Sequence, residues 1–267
     1  MRRRNFTQGA AALASAALAA AGTARSPAWA APVAGLEPVD LELVLAVDVS
    51  SSISPEEMEL QFRGYAAAFG AAELARRVGG GSIGAIACTL FVWSDPDHQQ
   101  VLVPWTRISG AATARAFAAA IDAAPRVTGL YTSISGAIDF AAGLFGRGGF
   151  EGTRRVVDIS GDGADNAARP GRALAEARDD ALERGIVLNG LAILDAEPPQ
   201  SPLPGPRPAR RPPLDEYYRD AVIGGPGSFL VVADGFEAFG PAVRRKLARE
   251  IAHAPPPAPI VERVAAA

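Results

Sequence analysis

Six short apolar runs alternate with helical stretches along the middle of the chain. Between the runs, apolar residues recur with the spacing of one helix face. A strand that is apolar at nearly every position is buried on both faces, which is typical of a parallel sheet covered by helices. The pattern predicts an α/β fold, with a doubly wound, Rossmann-like, mostly parallel six-stranded sheet and helices on both faces. The predicted strands are residues 41–47, 83–93, 100–105, 154–160, 186–194 and 229–232, and the predicted helices are residues 55–69, 112–123, 133–145, 173–184, 214–221 and 236–251.

The third apolar run is joined to the second by only a short polar segment, SDPDHQ at residues 94–99. Parallel neighbours need a crossover connection of about a dozen residues or more. A link this short predicts instead that residues 100–105 form an antiparallel strand at the edge of the sheet.

Two segments do not fit the alternation. Residues 195–213 contain eight prolines and three arginines, and so many prolines predict an extended surface loop rather than a helix or a central strand. Residues 253–267, which include the run PPPAP, predict a loose C-terminal tail. No linker divides the remainder, which predicts a single domain over residues 39–252.

The first thirty residues have the layout of an export signal. The pair Arg3–Arg4 and the nearby Phe6 resemble a twin-arginine signal, with an ordinary secretory signal or a chance basic start as alternatives. An alanine-rich run too short for a membrane span follows, and then the small-residue positions Ala28 and Ala30. We expect a signal peptide over residues 1–30, cleavage before Ala31, a periplasmic or secreted domain, and no stable membrane anchor.

Charge argues against one class of partner. The first thirty residues hold four of the 26 basic residues and none of the 29 acidic ones, so the rest of the chain carries a net charge of −7. Nucleic-acid binding depends on neutralising phosphates with basic side chains. The composition therefore predicts no nucleic-acid partner.

The first predicted strand ends in the polar cluster VDVSSSISPEE at residues 47–57. Ser54, followed by a proline and then by Glu57, forms a capping box with proline at the first helical position. This assigns Ser54 to the start of a helix. It leaves Asp48, Ser50 and Ser52 without a structural task.

These three residues lie at the carboxyl end of a buried strand, where open parallel sheets bind their ligands. One carboxylate and two hydroxyls form a hard-oxygen cluster that suits Mg²⁺ or Mn²⁺. A polar turn without a ligand is the alternative.

Two further residues belong to the same pattern. Asp162 follows the fourth predicted strand in VVDISGDGADN, and Thr132 lies at a helix start in TGLYTSISGAIDFA. Taken alone, the aspartate fits an ordinary turn and the threonine an ordinary helix cap. In this order along the chain, the residues can converge with the first cluster at one point above the sheet.

The chain resembles the von Willebrand factor type A (VWA) family over about residues 39–252. The metal-ion-dependent adhesion site (MIDAS) of that family has a D-x-S-x-S, Thr and Asp pattern. The chain has ISGDG where common A domains have Thr-Asp-Gly. Through the stretches DISGDG and YYRDAVIGGPGSF, it most resembles secreted bacterial A-domain-like proteins of unknown function. The matching site residues are Asp48, Ser50, Ser52, Thr132 and Asp162.

The resemblance implies a binding module rather than an enzyme. In the family, the serines and in some states the threonine contact the metal, while the carboxylates act largely through bound water. Neutral hydroxyl ligands leave the ion electrophilic, so it seeks an anionic oxygen from outside, typically an Asp or Glu of a partner. The expected cofactor is Mg²⁺ or Mn²⁺, and the expected partner is a protein or other ligand that offers a carboxylate.

Two alternatives stay open. GDGADN resembles the late metal motif G-D-G-x-N-D of haloacid-dehalogenase-type phosphatases, but Asp165 and Asn166 stand in reversed order and Ser50 occupies a position where that family needs an acid. The only lysine, Lys246, lies in the last predicted helix, whereas the phosphate-binding lysine of that family precedes the late motif. The other alternative is a structural A-like domain with a degenerate, metal-free site.

Overall fold

A seven-stranded sheet lies at the centre of the fold in the computed structural model, which describes residues 35–166, 172–194, 212–252 and 260–266. The strands are β1 (Glu37–Val39), β2 (Leu41–Asp48), β3 (Ile86–Trp93), β4 (Gln99–Ile108), β5 (Phe150–Gly152), β6 (Arg155–Gly161), β7 (Ile186–Leu194), β8 (Phe229–Asp234) and β9 (Ile260–Val264). Their order in the sheet is β4-β3-β2-β6-β7-β8-β9, and β1 and β5 form a separate parallel pair. All neighbours in the large sheet are parallel except β3 and β4, which confirms the predicted mostly parallel sheet with one antiparallel edge strand.

Helices cover both faces of the sheet. They are α1 (Pro55–Gly70), α2 (Ala72–Gly79), α3 (Ala111–Asp122), α4 (Ile134–Leu144), α5 (Leu174–Glu183), α6 (Leu214–Tyr217) and α7 (Phe239–Glu250). A π-helical turn, Tyr218–Val222, continues α6, and a 3₁₀ turn, Phe236–Ala238, precedes α7. On one face α1 packs against α3 and α7, and on the other α4 packs against α5. None of the described helices combines the length and the apolar composition that a bilayer crossing requires.

The central strand β2 is buried on both sides because its side chains alternate between two hydrophobic cores. Leu43, Leu45 and Val47 belong to the core beneath α1, α3 and α7. Val44 and Ala46 belong to the core beneath α4 and α5. This double burial fixes the strand and holds its last residue, Asp48, at the carboxyl edge of the sheet.

The C-terminal segment differs from the loose tail expected over residues 253–267. Residues 260–264 form β9, which pairs in parallel with β8 and adds a seventh strand to the six predicted. The sequence IVERV combines three β-branched residues with two charged ones, and it covers an edge that β8 would otherwise leave open. Arg263 Nε lies 2.6 Å from Asp234 Oδ1 and ties the two strands together. The sequence has prolines at 255–257 and 259, and because prolines are disfavoured in strands, the strand that follows them was not predicted.

Other predictions fall outside the described residues. These are the export signal at residues 1–30, most of the proline-rich loop (residues 195–211), and the part of the tail at residues 253–259. The short elements α2, β1 and β5 were not predicted, because each is too brief to show a clear period.

The first helix begins as its sequence predicts. Ser54 Oγ accepts a hydrogen bond from Glu57 N over 3.2 Å, and Ser54 N donates to Glu57 Oε2 over 2.8 Å. Both halves of the capping box are therefore present, and Pro55 is the first helical residue. The Ser54 side chain therefore caps α1, which begins directly after the turn that follows β2.

Replacing Ser54 by alanine is expected to lower the free energy of unfolding by about 0.5–2 kcal/mol, the usual loss for a helix cap. The side chain accepts from an N–H that has no partner within the helix, so its removal leaves that group unpaired. Urea unfolding in the presence of a chelator measures this loss. An unchanged unfolding midpoint would contradict the capping role.

Candidate metal centre

Four of the five predicted site residues come together at the carboxyl ends of β2 and β6, which are neighbours in the sheet. Asp48 ends β2, and Asp162 directly follows the last residue of β6. Ser52 Oγ donates to Asp162 Oδ1 over 2.8 Å, and Ser50 Oγ lies 3.3 Å from Ser52 Oγ. The turn after β2 and the turn after β6 thus meet through their side-chain oxygens.

Local hydrogen bonds give the first turn its shape. Ser50 N donates to Asp48 Oδ1 over 2.8 Å, and Ile53 N donates to Ser50 O over 3.0 Å. Gln61 Nε2, from α1, donates to the backbone oxygen of Asp48 over 3.3 Å. Ser51 is directed elsewhere, because its hydroxyl donates to Leu130 O over 2.8 Å. Asp48, Ser50 and Ser52 therefore belong to one cluster, whereas the hydroxyl of Ser51, which lies between the two serines, bonds to a different loop.

The fifth residue, Thr132, lies beside the Asp162 turn. A Cβ atom placed on Gly163 would stand 3.5 Å from Thr132 Oγ1. The threonine is 3% exposed, and it does not cap α4, because that task belongs to Ser133, whose hydroxyl accepts from Gly136 N over 3.2 Å. The ordinary structural explanation for Thr132, a helix cap, therefore does not hold.

Two residues of the GDGADN stretch hold the threonine in place, a role that the sequence did not reveal. Asn166 Oδ1 accepts from Thr132 N over 2.9 Å, and Asn166 N donates to Thr132 O over 2.8 Å. Asp165 Oδ1 accepts from Ile134 N, at the start of α4, over 2.6 Å. A carboxylate near a helix N-terminus is a known stabilising arrangement, but its position opposite α4 depends on the fold rather than on spacing.

A family model described as "Protein of unknown function (DUF1194)" matches residues 38–255. The chain belongs to the DUF1194 family. No curated protein matches the chain.

Solved structures share the VWA fold with this DUF1194 chain. Proximal thread matrix protein 1 from the mussel byssus, solved with a zinc-occupied MIDAS motif, matches with a TM-score of 0.55 at 12% identity over 81% of this chain and 49% of that one. A von Willebrand factor type A protein from Catenulispora acidiphila matches with a TM-score of 0.52 at 10% identity, over 80% of this chain and 43% of that one. The conserved hypothetical protein BatB from Bacteroides thetaiotaomicron matches with a TM-score of 0.50 at 19% identity, over 79% of this chain and 98% of that one. The matched region spans about half the length of the mussel protein. These similarities establish a VWA-like family of unknown function.

The two carboxylates of this cluster, Asp48 and Asp162, disfavour each other's charge. Burial and, to a smaller extent, the neighbouring Asp162 carboxylate raise the pKa of Asp48 from its ordinary 3.8 to about 8. The hydrogen bond that Ser50 N donates to the Asp48 carboxylate lowers the pKa and only partly offsets these effects. A cation placed between two neighbouring carboxylates, one of them buried, relieves this repulsion.

The side chains present fit a hard divalent cation. The donors that meet here are carboxylate and hydroxyl oxygens, the ligands that Mg²⁺ and Mn²⁺ prefer. Across the described residues, no group of three or more His, Cys, Asp or Glu side chains is placed to hold a metal, so a site rich in imidazole or thiolate is not seen there. Asp48 Oδ2 is buried without a hydrogen-bond partner within the described residues, which leaves acceptor capacity at the site unused.

The stability of the metal-free protein is expected to fall as the pH rises from about 4 to about 8. The raised pKa of Asp48 means that the folded protein keeps a proton there that the unfolded chain has already released. Over that window the unfolded state binds fewer protons, so stability declines with rising pH. One such group contributes up to about 1.4 kcal/mol per pH unit.

Urea unfolding at several pH values in the presence of a chelator measures this slope. The matched control is Asp48→Asn, which keeps the shape of the side chain but removes its titration. We expect a flatter pH dependence in the variant, and equal slopes in the two proteins would contradict the account.

Proposed function

We propose that this domain is an exported binding module that captures an acidic ligand through a divalent ion. The ion would be held by Asp48, Ser50, Ser52, Thr132 and Asp162. The observation that carries the proposal is the 2.8 Å hydrogen bond from Ser52 Oγ to Asp162 Oδ1, because it joins the two separate turns into one oxygen cluster. When bound, the ion would attract an anionic oxygen from outside the chain.

The donor set favours Mg²⁺ or Mn²⁺ as that ion. The zinc-occupied MIDAS motif of the mussel protein supports a divalent cation as the class, at the level of a shared fold. The chain's own residues have separate tasks: the serine hydroxyls offer neutral oxygens, while the two aspartates supply the negative charge.

Binding is favoured over phosphoryl transfer because the lysine that such a reaction would need is committed to other carboxylates. Lys246 Nζ lies 3.0 Å from Asp158 Oδ1 and 2.8 Å from Glu250 Oε1, in the core beneath α7. A haloacid-dehalogenase-type reaction would need its lysine beside the first aspartate, and this lysine is committed to two other carboxylates.

The surface next to the site suits a protein partner. Leu130 and Tyr131 are 68% and 43% exposed, and they directly precede Thr132. Exposed aromatic and aliphatic side chains beside a polar centre are common in binding surfaces. A partner that offers a carboxylate to the ion would gain apolar contact from this pair.

The predicted signal at residues 1–30 implies that the domain is exported before it binds its ligand. The proposal places the domain in the periplasm or outside the cell, with Ala31 as its first residue. N-terminal sequencing of the protein recovered outside the cytoplasm tests this cut, and a retained Met1 would contradict it.

Ion-dependent capture is the expected result when the immobilised domain is exposed to an extract of the producing cells. A ligand should bind in millimolar Mg²⁺ and be released by chelator, because the ion supplies the contact to its carboxylate. Amidating the carboxylates of the extract beforehand should abolish capture. The matched control is Asp162→Asn, which should capture nothing. Capture that resists both chelator and amidation would contradict the proposal.

A further inference from the structure

Two buried polar atoms remain without a hydrogen-bond partner at the base of the site. They are Asp48 Oδ2 and the Tyr218 hydroxyl, and neither has a partner among the described residues. Both residues are fully buried. A buried donor and a buried acceptor left unpaired are each costly, so two such atoms in one place need an explanation.

Both atoms border the same small space beside Gly161. A Cβ atom placed on Gly161 would stand 2.7 Å from the Tyr218 hydroxyl oxygen and 2.8 Å from Asp48 Oδ2. Gly161 is not among the residues with positive φ, so it is the absence of a side chain, and not an unusual backbone, that this position requires. The glycine therefore leaves room for the tyrosine to approach the aspartate.

Tyr218 reaches this space from the segment that follows the proline-rich loop. It begins the π-helical turn after α6 and packs in the core beneath α4 and α5. The hydroxyl of the neighbouring Tyr217 accepts a hydrogen bond from Asp165 N over 3.3 Å. Tyr218 thus lies on the Asp48 side of the site, and Tyr217 bonds to the loop that holds Thr132.

We infer that Tyr218 is a further positioning residue of this site, whose hydroxyl donates to Asp48 Oδ2 through one bridging water, since the two atoms make no direct hydrogen bond. Ser50 N already holds Asp48 Oδ1 over 2.8 Å, so a bond to Oδ2 fixes the carboxylate from its second side. Partners that orient a metal-binding carboxylate in this way typically change metal affinity 10–100-fold. The effect on the ion rests on the proposed function, whereas the bond between Tyr218 and Asp48 does not.

The bond is tested without metal by a double-mutant cycle of Tyr218→Phe and Asp48→Ala, with unfolding followed in urea and chelator. We expect the two changes to be non-additive by about fivefold or more in the unfolding equilibrium constant. The control cycle pairs Asp48→Ala with Tyr65→Phe. Tyr65 is equally buried, and its hydroxyl bonds to Ser160 Oγ over 3.3 Å, so that cycle should be additive within about twofold. Additivity in the Tyr218 cycle would overturn the inference.

The effect on the ion is tested by calorimetric titration with Mn²⁺ alone. Tyr218→Phe should weaken Mn²⁺ binding about 10–100-fold, and Tyr65→Phe should leave it within about twofold. An unchanged affinity in Tyr218→Phe would overturn the positioning role. If the wild-type protein binds no Mn²⁺, the proposed function fails, and the double-mutant cycle alone decides the inference.

Discussion

Ser50→Ala and Ser52→Ala should each weaken Mg²⁺ binding by more than about 100-fold, because each removes an oxygen assigned to the ion itself, and even partners that only orient ligands change affinity 10–100-fold. The stability of the metal-free protein should change little. Ser50 stays bonded to Asp48 through its backbone N–H, which the substitution retains. Ser52 makes its bond to Asp162 on an exposed surface, where a hydrogen bond contributes only modestly.

The matched control is Ser54→Ala, two residues further along. That variant should lose stability as a helix cap does, while its Mg²⁺ affinity stays within about twofold. Asp48→Ala should lose Mg²⁺ binding entirely, and it should also lower the stability of the metal-free protein, because it removes the buried acceptor of the hydrogen bond from Ser50 N. Calorimetric Mg²⁺ titrations paired with urea unfolding compare the four variants. If Ser50→Ala and Ser54→Ala change Mg²⁺ affinity and stability by similar amounts, the assignment of Ser50 to the ion and Ser54 to the helix cap is wrong.

Lys246→Met is expected to lower the free energy of unfolding by about 3–5 kcal/mol, the usual cost of removing one partner from a buried ionic cluster. Lys246, Asp158 and Glu250 are all at most 1% exposed, and the ammonium is the cation that faces both carboxylates. Asn189 Nδ2 also donates to both oxygens of Glu250, over 2.9 and 3.0 Å, but an amide carries no charge to balance them.

The loss in Lys246→Met should be larger at pH 8 than at pH 5. Burial raises the pKa of Asp158 to about 6 even beside the ammonium, and without the lysine the pKa would rise further. Protonation at low pH then relieves the unpaired charge, so stability declines as the pH rises. The control is Arg244→Met, an exposed position on the same helix, which should change stability by no more than about 0.5 kcal/mol. A loss in Lys246→Met similar to that of the control would contradict the ion-cluster account.

The sequence was sufficient for the features that local chemistry determines. The capping box at Ser54 follows from spacing alone, and the remaining D-x-S-x-S residues follow once that serine is set aside. Asp162 was predictable because β2 and β6 are parallel neighbours, so their carboxyl ends share one edge. Although Gly161 precedes Asp162 where common A domains have threonine, the Asp162 carboxylate accepts a hydrogen bond from Ser52.

The remainder depended on contacts between distant parts of the chain. Nothing near Tyr218 in the sequence shows that its hydroxyl would lie beside Asp48, because this requires the sheet order and the space at Gly161. Lys246 stands in a run of arginines, and only the packing of α7 on the sheet distinguishes the buried lysine from its exposed neighbours. The strand β9 was missed for a different reason: its five residues, IVERV, do not alternate regularly, and a run of prolines precedes them in the sequence.

The most direct test of the central claim is thermal unfolding of the wild-type domain with Mn²⁺ and with chelator. An ion at about 100 times its Kd stabilises the folded state by about 2.7 kcal/mol. For a domain of this size that corresponds to a rise in Tm of about 5–10 °C. The account predicts this rise in the wild type and its absence in Ser50→Ala. A wild-type Tm that is the same in millimolar Mn²⁺ and in chelator would contradict a metal site at Asp48, Ser50, Ser52, Thr132 and Asp162.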